Sequence, residues 1–209
     1  MPPQRVGTTY SLTPALRGFS PMTSCPTLLI SRFAGYLGTV IAEHFLDAGH
    51  SVIGVENLSF GSAQLNHLCA QDNFDFVRQE VRNGGVMATL VKKIDMIIPL
   101  AALVGMPACL RDAWLAESVN LQAIRIINRV RSSSQLVIYP KTNSGCGHKS
   151  GTSFCTEETL LEPISICGKT KCQAELELLN SSNTITLLWI GIWSPIPHPI
   201  LSPRDQVLA

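Results

Sequence analysis

The sequence contains no acidic residue before Glu43, and from Ser181 to Ala209 its charged side chains are Arg204 and Asp205 alone. Charge is scarce throughout, 15% of residues against about 25% in ordinary soluble domains. A composition that is 45% apolar is nevertheless far from a disordered chain, which combines low hydrophobicity with high net charge. With 16 Lys+Arg against 15 Asp+Glu, the net charge is +1, so a basic nucleic-acid surface has no support. No apolar run reaches the roughly 18 residues of a membrane-spanning helix. The seven cysteines include no CxxC pair and are odd in number, which argues against a disulfide miniprotein. His44, His50, His67, His148 and His198 show no metal-ligand spacing with Cys or acids. No metal site is expected.

The uneven charge divides the chain. Residues 1–25 are expected to be a disordered leader, with an organelle transit peptide as the alternative that its Arg, Ser and Thr content suggests. Residues 191–209 hold four prolines between Pro195 and Pro203, which neither a helix nor a central strand tolerates. An irregular tail is expected there. Residues 26–190 are left as one domain, long enough to bury a core.

Within that domain the period alternates. Thr27–Ile30 is a short apolar strand candidate, followed by Leu37, Val40, Ile41, Phe45 and Ala48 at the spacing of one helix face. Gly49 supplies the stop. Strands are predicted at Ser51–Val55, Phe74–Arg78, Asp95–Leu100, Gln135–Tyr139 and Thr184–Ile190. Helices are predicted around Val86–Lys92, Trp114–Arg131 and Ser165–Leu179. Near-continuous apolar strands separated by helices predict an α/β fold: a doubly wound parallel sheet covered on both faces. Fold alone does not give function.

The first strand-to-helix turn, Ser31-Arg32-Phe33-Ala34-Gly35-Tyr36-Leu37-Gly38, has two glycines at the mouth of the helix. Such glycines let backbone amides approach a pyrophosphate and let the helix pack on the strand, while the helix N-terminus favours phosphate. Arg32 stands where a first glycine belongs. Glu56, followed by Asn57, lies 21 residues beyond Gly35, near the spacing of an acid that binds adenosine ribose hydroxyls. It would repel a 2′-phosphate, which favours NAD over NADP. A solvated loop carboxylate is the bland alternative.

Taken in order, AGYLG (34–38), VENLSFGS (55–62), PLAALVG (99–105), ESVN (117–120), TNSGCG (142–147) and PISICGKTK (163–171) resemble the extended short-chain dehydrogenases/reductases, in particular the NAD-dependent epimerase/dehydratases of nucleotide sugars. The resemblance covers about Pro26 to Ile190. It implies a Rossmann fold, NAD as cofactor, a nucleotide-sugar substrate, a cytoplasmic location and a homodimer through the helices near 114–131 and 165–179. Neither nucleic acid nor membrane is implied as a partner. By position it implies cofactor contacts at Ser31, Gly35, Tyr36, Leu37, Gly38, Glu56, Asn57, Glu80, Val81, Leu100, Ala101, Ala102, Asn120 and Lys171. It places the catalytic Ser/Thr at Thr142 and the catalytic lysine at Lys171.

Three departures qualify what the resemblance implies. Cys167 occupies the catalytic tyrosine position. A thiol ionises more readily than a phenol, near 8.5 against about 10, and Lys171 one turn away would help. Its sulfur nevertheless ends one bond beyond Cβ, short of where a phenol oxygen reaches, and a general base needs hydrogen-bond reach. Arg32 would be strained if the turn requires a positive φ, or its guanidinium would meet the pyrophosphate directly; Phe33 adds bulk to the same turn. The family also continues into a smaller substrate domain, expected to be largely missing here. Two functions therefore stand: an epimerase or dehydratase in which Thr142, Cys167 and Lys171 carry the chemistry, or a non-catalytic Rossmann domain.

Overall fold

The computed structural model describes residues 25–59, 61, 65–142, 145 and 161–189. Residues 1–24 of the expected leader and the whole expected tail, together with Cys146, Gly147 and Ile190, lie outside them. A six-stranded parallel sheet has the order β3-β2-β1-β4-β5-β6, formed by β1 (Thr27–Ser31), β2 (Ser51–Glu56), β3 (Phe74–Arg78), β4 (Met96–Pro99), β5 (Leu136–Thr142) and β6 (Thr184–Trp189). The order reverses between β1 and β4. That switch point is where doubly wound sheets bind ligands, outside the carboxyl ends of the strands.

In β1, Leu28, Leu29 and Ile30 are all fully buried, because helices cover both faces. Leu28 and Ile30 pack with Ala42 and Leu46 of α1 (Tyr36–Asp47). Leu29 points the other way, into a cluster with Met87 and Val91 of α2 (Gly84–Val91), Ile124 and Ile127 of α5 (Ala123–Val130) and Leu178 of α6 (Ile166–Leu179). Gly49 adopts φ 83° just after α1, the left-handed conformation its stop role requires. Ser165 caps α6, its hydroxyl accepting from the Gly168 amide at 3.0 Å.

Two details differ from the periodicity reading. The single helix expected over 114–131 begins as α4 (Ala113–Glu117), passes through a π-helical turn at Ser118–Gln122 and continues as α5. Such an insertion often marks a functional position, and Asn120 sits within it. A short α3 (Met106–Arg111) was not expected; at six residues, with Pro107 in its first turn, it shows no helical period. Pro140 lies inside β5, yet β4 pairs with β5 only through Met96↔Leu136 and Ile97↔Val137. The proline, lacking an N–H, therefore falls past the last β4 partner, where a missing donor costs no ladder bond.

Candidate functional site

The carboxyl ends of β1 to β4 open on a cavity of about 210 Å³. Arg32, Glu56 and Asn57, Gln79 to Arg82, and Ala101 to Leu103 line it from the strand ends, and Leu115 and Val119 close it from the helical side. Val55, Val81, Ala101, Ala102, Leu115 and Val119 make much of its wall apolar. Glu56 supplies an acid at the end of β2. It is buried, and its Oε1 accepts from the amides of Asn57 (2.9 Å) and Leu58 (3.1 Å). Those bonds fix the carboxylate while leaving further acceptor capacity.

Glu80 is engaged differently. Its Oε2 accepts from Asn57 Nδ2 and from Arg82 Nη2, each at 3.0 Å, and Arg82 Nη1 donates to Ser118 Oγ at 3.0 Å. Burial alone would raise the Glu80 carboxyl, but the bonds from Arg82 and Asn57 outweigh it and hold the pKa below the usual carboxylate value. Arg82 was not anticipated from the sequence, since a single arginine after a strand carries no periodic signal. It ties β3 to the π-helical turn.

The phosphate turn takes an unexpected course at Phe33. This ring does not crowd the cleft. It is fully buried beneath the sheet, 5.1 Å from Phe74 and 5.6 Å from Phe76 between centroids. Gly54 in β2 makes the room: a Cβ there would stand 2.5 Å from Phe33 Cδ1. Gly38 is equally required, because its Cβ would stand 2.5 Å from Phe33 Cα. Tyr36 is exposed and Leu37 half-buried at the start of α1.

Arg32 has φ 54°, the left-handed region that favours glycine. Its amide donates to the Val55 carbonyl at 2.8 Å and its carbonyl accepts from the Gly35 amide at 3.2 Å. The side chain runs over Gly35, with Cγ and Nε at 3.9 and 4.0 Å from where a Cβ of that glycine would be. Its Nη1 donates to the Ala102 carbonyl. Burial pushes the guanidinium pKa down and the Glu56 carboxylate pulls it back up. The bare face of Gly35, through which a phosphate would approach the turn, is thus covered by Arg32.

Ser31 and Asn120 act on the scaffold. Ser31 Oγ, fully buried, accepts from the Ala101 amide at 3.1 Å, joining the ends of β1 and β4 next to Leu100. Asn120 Oδ1 accepts from the Leu103 amide at 2.7 Å, while its Nδ2 donates to the Leu103 carbonyl (3.0 Å) and to Thr170 Oγ1 (3.2 Å). These bonds hold the segment after β4 against α6.

The other half of the edge holds the expected catalytic positions. Cys167 does not present a thiol: it forms a disulfide with Cys109 of α3, Cα to Cα 6.2 Å. Bonded in this way, the Cys167 sulfur offers no thiolate to accept a proton. Cys109 carried no signal as a partner, since a separation of 58 residues singles out no pair from sequence. Lys171 is buried one turn along α6, with Nζ 4.9 Å from the centre of the Tyr139 ring. Burial first, and then the charge of Arg32, pushes its amine down to about 8. Tyr139 itself is fully buried, its hydroxyl finds no hydrogen-bond partner among the described residues, and burial raises its pKa. Thr142 ends β5, paired with Trp189. Nearby, Lys141 and the buried Glu175 form an ion pair at 3.0 Å. Among the described residues, no cluster of His, Cys, Asp or Glu could hold a metal ion, and no helix is long and apolar enough to cross a membrane.

The strand order, the glycine turn and the acid after β2 define the nucleotide-binding domain of a doubly wound dehydrogenase-like protein. The family model described as "NAD dependent epimerase/dehydratase family" matches residues 29–190. The chain belongs to that family. It is 24% identical over 154 residues to the UDP-glucose 4-epimerase of Mycolicibacterium smegmatis, covering 72% of this chain and 49% of that protein. It is 30% identical over 101 residues to the UDP-glucuronate 4-epimerase of Thermodesulfobacterium geofontis, covering 44% and 31%. Among solved structures, the UDP-Glc/GlcNAc 4-epimerase of Campylobacter jejuni superposes with a TM-score of 0.72 at 22% identity, over 78% of this chain and 53% of that one. The chain spans about half the length of relatives such as the Mycolicibacterium enzyme.

NAD is the cofactor of this family, and the two halves of the cleft fit it unequally. On the adenosine side, the fixed Glu56 carboxylate and the apolar wall suit a ribose diol and a planar base. On the pyrophosphate side the fit is poor, because Arg32 covers Gly35 and bridges to Ala102.

Proposed function

We propose that this chain is a nucleotide-binding member of the epimerase/dehydratase family that does not itself turn over a nucleotide sugar. The Cys109–Cys167 disulfide carries this reading. It removes the proton acceptor from the position where the family resemblance puts the catalytic tyrosine, and Lys171 is left buried without a base to assist. Residues 26–190 act as the nucleotide-binding unit, with Glu56, Val81 and Ala101 on the adenosine side and Gly35 to Gly38 at the phosphate turn. Pairing of two copies through the helical faces at 113–130 and 166–179 belongs to the same proposal. The exposed Trp114, Leu176 and Leu179 support it, and light scattering reads the mass directly.

Family membership and the retained Lys171 favour a second reading, in which the reduced protein is an enzyme of the nucleotide-sugar class. A cytoplasmic location belongs with it, because disulfides are rare in reducing compartments. The test supplies NAD together with UDP-glucose or UDP-glucuronate to the purified chain, with and without a dithiol reductant, and follows product by NMR. No conversion is expected in either state. Turnover by the oxidised protein refutes the proposal, and turnover confined to the reduced protein establishes the second reading in its place.

A further inference from the structure

The cavity is small. Pockets that hold drug-sized ligands measure about 300–1,000 Å³, so 210 Å³ is room for part of a dinucleotide. Among the described residues, the phosphate turn contributes one side chain to its boundary. Arg32 leaves β1 in the left-handed conformation, crosses the bare face of Gly35 and ends on the Ala102 carbonyl. It lines the same cavity as Glu56, the Glu56 carboxylate acts on its guanidinium, and its charge acts on Lys171.

A guanidinium in that place treats two kinds of ligand differently. It carries five N–H donors in a planar fork and makes two-pronged bonds to phosphate. A phosphate that terminates a nucleotide can stop at this fork. A pyrophosphate that must continue toward a second nucleoside has to cross Gly35, where the Arg32 side chain already lies. In the same lining, Glu56 offers a carboxylate suited to a ribose diol, and the apolar residues offer a face for the base.

We propose that Arg32 divides the cleft, so that this chain selects a ribonucleoside 5′-phosphate ending in its phosphate over the full dinucleotide. The inference rests on the nucleotide-binding reading above and names its ligand class. Arg32 is then a specificity-determining residue, acting by charge toward the terminal phosphate and by bulk against the pyrophosphate bridge.

The test titrates the full chain calorimetrically with AMP, ADP and NAD, alongside Arg32→Gly and Glu56→Gln variants. Glycine suits φ 54°, so Arg32→Gly is expected to fold, and circular dichroism checks it. In the parent protein AMP or ADP is expected to bind at least about tenfold more tightly than NAD. Arg32→Gly is expected to shift that ratio at least about tenfold toward NAD, and Glu56→Gln to weaken all three ligands. If NAD binds as tightly as ADP, or if Arg32→Gly leaves the ratio unchanged, while both remain sensitive to Glu56→Gln, the division by Arg32 is wrong and the nucleotide site stands. If none of the three binds in a Glu56-dependent way, both readings fall together.

Discussion

Phe33 and Gly54 are predicted to be energetically coupled, although 21 residues separate them in sequence. Phe33 is fully buried, and truncation of such a ring to Ala costs about 3–5 kcal/mol. Its two tilted contacts with Phe74 and Phe76 fall within that figure and also prevent the ring from swinging aside. A methyl group at Gly54 would lie 2.5 to 2.7 Å from three atoms of the ring. Gly54→Ala therefore overpacks the site at about 1–3 kcal/mol, which for a chain of this size lowers Tm by roughly 2–12 °C. With the ring removed, the same methyl enters space the ring vacated, and replacing glycine in a strand then favours folding by about 0.5–1 kcal/mol. Gly54→Ala should thus change sign, from destabilising in the parent to neutral or stabilising beside Phe33→Ala. Urea unfolding of the four proteins closes the cycle, with a coupling energy of at least about 1 kcal/mol expected. Additivity within about 0.5 kcal/mol, the behaviour of independent sites, would refute this account of why β2 carries a glycine.

Reduction and pH give the other two predictions. Opening Cys109–Cys167, which closes a separation of 58 residues, should lower stability by up to about 4 kcal/mol on loop entropy; a dithiol should shift the parent's urea midpoint but not that of a Cys109→Ser/Cys167→Ser variant, and equal shifts in both would rule the bridge out. The Lys171 amine sits at about 8 in the folded protein against 10.5 for an ordinary lysine. Below pH 8 both folded and unfolded chains carry the charge, and the folded one bears the full cost of burying it. Between about pH 8 and 10.5 the unfolded chain binds the extra proton, so stability rises with pH, by roughly 3 kcal/mol across the window. Urea unfolding of parent and Lys171→Met at pH 7 and pH 10 should show the variant's advantage shrinking as pH rises, and parallel profiles would disprove the depressed amine.

The sheet was legible because its strands are buried on both faces and so appear as short apolar runs. Phe74–Arg78 is found within the bounds its sequence predicts, and most other elements end within two residues of them. Interruptions escaped notice where local period and tertiary demand part company. The π-helical turn at 118–122 keeps a continuous helical pattern in sequence, and only the grip of Asn120 on Leu103 shows what it positions. Within the site, the place of Glu56 at the end of β2 could be anticipated because it depends on a distance along the chain. The inward turn of Phe33, the Arg82 link to Ser118 and the Cys109 bridge depend on distances across the chain. No spacing rule reports those.

The two altered positions are joined through Lys171. Arg32 acts at the switch point between β1 and β4, and Cys167 acts on α6 beyond β5, so each would be expected to affect only its own half of the cleft. The Arg32 charge nevertheless helps to depress the Lys171 amine, second only to burial, and Lys171 lies one turn from the disulfide. A cation at the phosphate turn therefore opposes a second cation where the family resemblance places its catalytic lysine. A glycine at 32, as the resembled turn has, would remove that opposition while leaving burial in place. The same substitution that narrows the cleft thus also works against a charged Lys171, whose positive charge would be needed to lower the pKa of a neighbouring base. Loss of the base at 167 and gain of the guanidinium at 32 act in one direction. Restoring Tyr at 167 alone would give a phenol beside a lysine whose amine burial and the Arg32 charge still depress, so proton abstraction by the Tyr variant should set in at a lower pH when Arg32 is also replaced by Gly.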